Sequence, residues 1–305
     1  MKDPLQRLAP LFVIIAASLW GVDGIVLRPS LYTLPVPLVV FIETAIAAII
    51  LTPFFIKSFP QLKKLKAKDW LAFVAVAVFG GALGTMAITK ALFYVNYVNL
   101  SIVILIQKLQ PVFAISLAAL LLRERLPRTF LWWAGLAIIG AYFMTFGLKK
   151  PLLDTGDKTL LAALFAIIAT ISFASSTVFS KRALRHVQFK MGTYLRFSIT
   201  AILMLIITTA TGDFTSISHI TSRQWLIFGL IVISSGAPAI FLYYSGLMRI
   251  SASVATICEL AFPLTGILLE YFVHGKLLSL PQWLGVLVLI VSILQVSKLQ
   301  SRMEV

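Results

Sequence analysis

Charge is scarce in this chain. Only 12% of its 305 residues are Asp, Glu, Lys or Arg, about half the ~25% of an ordinary soluble domain. Acidic residues are scarcer still, eleven against twenty-six basic ones. With 60% of residues hydrophobic and a mean hydropathy of +0.99, solvation by water is excluded and solvation by lipid is expected. Cysteine is nearly absent. Cys258 stands alone, which excludes an internal disulfide and any cysteine-based metal cluster and suits a core position. The three histidines, His186, His219 and His274, fall in separate predicted loops on different sides and make no metal site. No GxxxxGK[ST] loop is present to cradle a nucleotide's phosphates, and no cofactor is implied. Nor does an Ala-x-Ala-type cleavage pattern follow the first apolar run, which is therefore expected to stay as a helix.

What the sequence does have is a series of long apolar runs. A helix rising ~1.5 Å per residue needs ~20 residues to cross a ~30 Å hydrocarbon core. Hydropathy places ten such helices at 9–27, 35–57, 70–90, 99–122, 129–148, 159–180, 191–211, 224–246, 253–273 and 281–297. The net charge of +15 sits in short clusters between them. That distribution orients a chain against a membrane and does not point to nucleic acid. Seventeen basic residues fall on one side, Lys63, Lys64 and Lys181 among them, and seven on the other, including Arg28. Cytoplasmic loops collect positive charge, so both termini are expected in the cytoplasm of a multi-pass protein of the cell membrane.

The sequence also repeats itself. Trp70-Leu71-Ala72-Phe73 is echoed by Trp225-Leu226-Ile227-Phe228, Ala91-Leu92 by Gly246-Leu247, Pro111 by Pro263, and Trp133-Ala134-Gly135 by Trp283-Leu284-Gly285. The hydrophilic segment 149–158, KKPLLDTGDK, parts a first repeat (1–148) from a second (159–305). Five spans is an odd number, so the second copy must enter the membrane upside down. The expected fold is an all-α integral membrane protein of ten transmembrane helices arranged as two inverted five-helix repeats. Such repeats are a hallmark of alternating-access transporters, whose substrate site lies near the midplane between the halves.

Several of these stretches resemble one family. They are Trp20-Gly21, Ala91-Leu92, Gln110-Pro111-Val112-Phe113, Leu122-Arg123-Glu124-Arg125-Leu126 and Gly135 through Gly140 in the first half, with Arg196-Phe197, Gly246-Leu247, Pro263 and Gly285 in the second. Together they resemble the EamA-type branch of the drug/metabolite transporter superfamily. The resemblance implies two five-helix repeats and transport of amino acids, other metabolites or drugs, usually outward. Two positions depart from its pattern: Glu43 stands where an arginine is common, and the second-half counterpart of Glu124 is Lys276.

An ionised side chain at the bilayer centre costs at least ~2.5–3.5 kcal/mol, so each one demands a reason. Asp23, Glu43, Lys108, Arg196 and Glu259 all lie inside predicted helices. Lys108 lies roughly 13 Å past Asn99 at ~1.5 Å per residue, near the middle of the core. It shares an arc with Gln107 and Pro111, with Gln110 at its edge. Pro111 also removes the helical bond to the carbonyl of Gln107. Glu259 occupies nearly the same place relative to Pro263, so a Lys108–Glu259 pair is expected to offset the cost of both charges. A glutamate so placed is the natural carrier for a coupling proton. Glu43 is the repeat mate of Arg196, but their depths differ by roughly 9 Å along the normal at ~1.5 Å per residue, which argues against a second pair. Trp20 shares a face with Asp23, as an aromatic beside a carboxylate that suits an organic cation. Ser172, Ser175, Ser176 and Ser180 form a stripe of the kind that packs helices closely.

The cavity residues expected to meet substrate or a coupling ion are therefore Trp20, Asp23, Glu43, Gln107, Lys108, Gln110, Arg196 and Glu259. They suit a secondary active transporter, an exporter or exchanger of a small organic metabolite, with protons as the candidate coupling ion. The mixture of signs suits a zwitterion such as an amino acid. The competing class is a membrane-embedded enzyme or a flippase acting on a lipid-linked group. It needs clustered nucleophiles, paired carboxylates or a metal at the membrane face, and these brief basic loops lack them.

Overall fold

A computed structural model describes residues 4–94, 101–151, 153, 158–275 and 277–303. Ten helices are long and apolar enough to cross a membrane: Leu5–Leu31, Val36–Phe55, Ala67–Ala91, Val103–Leu122, Arg128–Phe146, Thr159–Ala183, Phe189–Ala210, Ser222–Leu247, Ala252–Phe272 and Leu280–Leu299. No strand occurs among the described residues. The bilayer dictates this, because a spanning segment without water must satisfy its own N–H and C=O groups, and a helix does so within one segment. The first span runs past the expected 9–27, since its end continues as a π-helical turn at Asp23–Leu27 and a 3-10 turn at Arg28–Leu31.

Side-chain size separates the outside of the bundle from its inside. Ile49, Phe54, Leu71, Leu120 and Trp132 project outward. The interior is lined by Ala9, Ala16, Ala47, Ala134, Ala137 and Ala141. Helices in lipid gain little by hiding apolar surface from an equally apolar solvent, and they associate instead through close contact of small residues and through hydrogen bonds. The closest approach joins the fifth and tenth spans. A Cβ added at Gly140 would lie 2.9 Å from Leu289 N, and one at Gly285 would collide with the backbone of Met144.

Packing between the halves is reciprocal. The first span lies on the eighth and ninth, the sixth on the third and fourth, the second on the seventh and the fifth on the tenth. Irregularities recur with the same logic. π-helical turns interrupt the third span at Ala77–Leu83 and the eighth at Val232–Gly236, at the spacing that separates Trp70 from Trp225. Each of these spans also opens on the same cap. Asp69 Oδ2 accepts from Lys66 N at 3.0 Å, and Gln224 Oε1 accepts from Thr221 N at 3.0 Å.

The fourth and ninth spans are both broken in the middle. Helix Ser101–Gln107 resumes only at Gln110, and helix Ala252–Cys258 only at Ala261. Prolines just beyond each break, Pro111 and Pro263, cannot donate to the preceding turn. The chain tightens there instead: Leu109 N donates to Ile106 O at 3.0 Å, and Leu260 N to Ile257 O at 3.2 Å. Lys108 and Glu259 are thus the first residue of each break. Counting from the prolines had matched Glu259 with Gln107; the backbone matches it with Lys108.

Replacing Gly285 by valine forces the fifth and tenth spans apart. A loss on the order of 3 kcal/mol is expected, at the upper end for overpacking because backbone cannot step aside. Thermal unfolding of the detergent-purified protein, followed by tryptophan fluorescence, would show it as a lowered midpoint.

Candidate functional site

Two polar clusters occupy the interior. The first gathers around Glu259. Its Oε1 accepts from Tyr243 Oη at 2.6 Å and from Thr177 Oγ1 at 3.2 Å, and its Oε2 accepts from Gln110 Nε2 at 3.2 Å. Four spans meet at this carboxyl group: the fourth, sixth, eighth and ninth. The break at Glu259 turns its side chain toward donors that a continuous helix would not have to meet. Trp20 completes the group from the first span. Its ring packs on Tyr243 with centroids 5.3 Å apart, while its Nε1 donates to Ser235 O at 3.0 Å. That carbonyl belongs to the π-helical turn of the eighth span, where the regular helical ladder is interrupted.

The Lys108–Glu259 pair expected from the sequence is not formed. Glu259 is held by neutral donors alone, and Lys108, 9% exposed, has no hydrogen-bond or ion-pair partner among the described residues. The physical reason lies in the backbone. The two residues hold equivalent places in two separate breaks, and the amide of Gln110, the first residue of the next helix, is the group that reaches the carboxylate. Gln107 Nε2, beside Lys108, is likewise buried without a partner. The fourth span therefore presents one buried donor without a bond, Gln107 Nε2, a costly state away from water, beside an ammonium with no partner among the described residues.

The second cluster is an ion triad at the far end of the first span. Arg28 Nη2 lies 2.6 Å from Asp23 Oδ2 and 3.4 Å from Glu43 Oε2, and Arg28 Nε donates to Asp23 Oδ2 at 3.1 Å. A π-helical turn brings residues five apart into register, and Arg28 N donates to Asp23 O across that turn. The sequence had placed Arg28 in an outer loop, with no partner for Glu43. Two carboxylates share one guanidinium here, and Asp23 Oδ1 and Glu43 Oε1 remain buried with no hydrogen bond. Arg196 forms no ion pair with Glu43. It donates from Nη1 to Tyr244 Oη at 3.4 Å and lies 5.8 Å from that ring's centroid, and Tyr244 Oη is also 3.1 Å from Ser180 Oγ.

Of the eight expected site residues, Trp20, Gln110 and Glu259 meet in one cluster, with Gln107 and Lys108 at the neighbouring break. Asp23 and Glu43 meet in the other. Arg28, Tyr243 and Thr177 were missed. Arg28 precedes a proline and read as a loop cation, while Thr177 was hidden in a serine-rich stripe. The Tyr243-Tyr244 doublet inside an apolar run was the available signal. Ser172, Ser175, Ser176 and Ser180 are all buried in the packed face of the sixth span, and Cys258 is fully buried. Among the described residues no group of histidine, cysteine or acidic side chains could hold a metal ion. Lys276 lies outside the described residues.

Tyr243→Phe removes the shortest bond to Glu259 and leaves Oε1 with Thr177 only. Unfolding of the purified variant is expected to be easier by about 0.5–1.5 kcal/mol, the net worth of one hydrogen bond whose acceptor keeps a second donor. Tyr243→Trp, which also lacks the phenol oxygen, would restore nothing if this bond is the cause.

Comparison with known proteins completes the picture. The EamA-like transporter family model matches the chain twice, at residues 7–146 and 160–298. The riboflavin transporter ImpX of Fusobacterium nucleatum subsp. nucleatum is 44% identical over 290 residues, covering 95% of this chain and 97% of that protein. The uncharacterized transporter YwfM of Bacillus subtilis is 29% identical over 299 residues, 94% of this chain and 93% of its own. A solved crystal structure at 18% identity shares the fold, with a TM-score of 0.73 over 97% of this chain and 98% of the other. Family and relatives alike are transporters and not enzymes. The chain belongs to the EamA-like transporter family, as a multi-pass integral membrane protein that moves a small solute.

Proposed function

We propose that the solute is a flavin, riboflavin or a close analogue. The observation that carries this reading is the 44% identity to a riboflavin transporter along nearly the whole of both chains. The site supports it chemically. Riboflavin is a flat, uncharged heteroaromatic with a carbonyl-rich edge and a hydroxylated chain. The Trp20–Tyr243 pair offers an aromatic wall, and aromatic contacts of this kind are worth about 0.5–1.5 kcal/mol beyond the area they bury. Gln107 Nε2 at the fourth-span break is a buried donor without a partner, and Lys108 beside it has none among the described residues; both suit the carbonyl edge. An amino-acid-like zwitterion fits less well, because Asp23 and Glu43 are both engaged by Arg28.

Transport proceeds by alternating access between two inverted repeats, 1–148 and 159–305, joined by 149–158, with both termini cytoplasmic. The reciprocal packing and the paired breaks support this architecture, since two copies related by a two-fold axis must place equivalent irregularities at the shared midplane. Glu259 is the residue for a coupling proton. It is a carboxyl group whose hydrogen bonds come from the neutral donors Tyr243, Thr177 and Gln110, with Arg196 near enough to act on it through its charge. The carrier exports flavin or exchanges it across the membrane.

The test is counterflow. Liposomes containing the purified protein and loaded with unlabelled riboflavin should accumulate labelled riboflavin unchanged, and accumulation of an amino acid instead would sink the flavin reading. Gln107→Ala should weaken riboflavin binding by about tenfold, on the ~1–3 kcal/mol scale of one buried hydrogen bond, as read from quenching of flavin fluorescence. Glu259→Gln should abolish the response of uptake to an imposed pH gradient while leaving counterflow in place; an unaltered response removes Glu259 from the coupling.

A further inference from the structure

The spacing that relates Glu43 to Arg196 also relates Ile14-Ile15-Ala16 to Ile167-Ile168-Ala169, and it relates Arg28 to Lys181. These two cations are therefore repeat mates at opposite ends of the bundle, yet they are held differently. Lys181 Nζ donates to the carbonyls of Leu247 and Met248 at 2.9 and 3.1 Å, closing the last turn of the eighth span. Cations are favoured at such carbonyl ends, where helical C=O groups have no partner and the dipole is negative. Arg28 is engaged instead by two carboxylates, those of Asp23 and Glu43.

Other bonds gather at the Lys181 end. Glu124 accepts from Ala252 N, Ser253 N and Ser253 Oγ at 2.7, 3.1 and 2.6 Å, and Arg185 Nη2 donates to Leu122 O at 3.5 Å. The fourth, sixth, eighth and ninth spans are thereby tied together on one side of the bundle. Glu124 follows Arg123, which takes the left-handed conformation at φ 57°, a backbone state a non-glycine residue holds only when its surroundings require it.

We infer that Arg28 is a gate residue that exchanges partners. In the structure described here the spans at the Lys181 end are tied together, which we read as that end closed, and Arg28 rests on Asp23 and Glu43. When the transporter inverts, each half adopts the arrangement now held by the other, and Arg28 leaves the carboxylates to cap the third span's last turn. Its new acceptors are the carbonyls of Leu92 and Phe93, the repeat mates of Leu247 and Met248. Lys181 gives up its own carbonyls in the same step. The halves differ in what remains behind. The residues matching Asp23 and Glu43 are Ser176 and Arg196, so only the first half keeps carboxylates to receive the released cation, and the conformer with the Lys181 end sealed is the resting one. This inference rests on the alternating-access reading above and on no particular substrate.

The test uses accessibility. In a Cys258→Ala background, Gln107→Cys is labelled by a membrane-impermeant maleimide applied from either face of oriented vesicles. With Arg28 and Lys181 intact, both faces give labelling. Arg28→Gln should leave labelling from the Arg28 face and reduce it at least tenfold from the opposite face, because the Arg28 end no longer closes. Lys181→Gln should do the reverse, and Arg28→Lys should restore much of the two-sided pattern, since lysine serves the mate position. If Arg28→Gln fails to fold, Asp23→Asn/Glu43→Gln/Arg28→Gln removes the stranded carboxylates and must still label from one face only. A two-sided pattern in that triple variant makes Arg28 a mere counter-ion and overturns the gate. Riboflavin counterflow on the Cys258→Ala chain is measured separately, so a wrong substrate and a wrong gate give different results.

Discussion

A polar group inside a hydrocarbon slab has no water to turn to, and almost every irregularity in this protein follows from that. Most of the chain meets the constraint by forming helix. At two places it does not, and there the chain must supply partners from elsewhere. The breaks at Lys108 and Glu259 take bonds out of the ladder; the Gln110 amide, the Thr177 hydroxyl and the Tyr243 phenol converge on the ninth-span break. An unsatisfied polar group costs several kcal/mol in lipid. A fold that keeps such breaks at matching positions in both halves bears that cost in two spans, the fourth and the ninth.

The architecture was legible because lipid simplifies the code. Run lengths gave the ten spans, and Trp70 with Trp225 gave the repeat. The charges were legible as a set but not as partners. Lys108 and Glu259 were read as complementary because both sit near a proline, whereas a one-residue shift of the break relative to the proline brought neutral donors to the carboxylate instead. Arg28 was read as a loop residue because nothing in the sequence announces a π-helical turn, yet that single extra residue per turn carries its guanidinium back to Asp23. Partner choice within a membrane depends on such half-turn displacements, which hydropathy does not record.

The two halves are alike in backbone and unlike in charge. Where the first carries Asp23, Glu43 and Arg28, the second carries Ser176, Arg196 and Lys181. Identical halves would make the two facing states equal in energy. On the alternating-access reading, unequal charge gives one state an ion triad that the other lacks, and in a low-dielectric interior such pairs are costly to break one partner at a time. On that reading, sequence divergence between the repeats sets the balance between the two states.

The alanine-lined interior has its own consequence. Ala9, Ala16, Ala47, Ala134, Ala137 and Ala141 have no side-chain rotamers to lose when neighbouring helices close around them, while a long side chain forfeits up to about 2 kcal/mol of such freedom. Helices faced with alanine can therefore come together or part with almost no change in side-chain rotamer freedom.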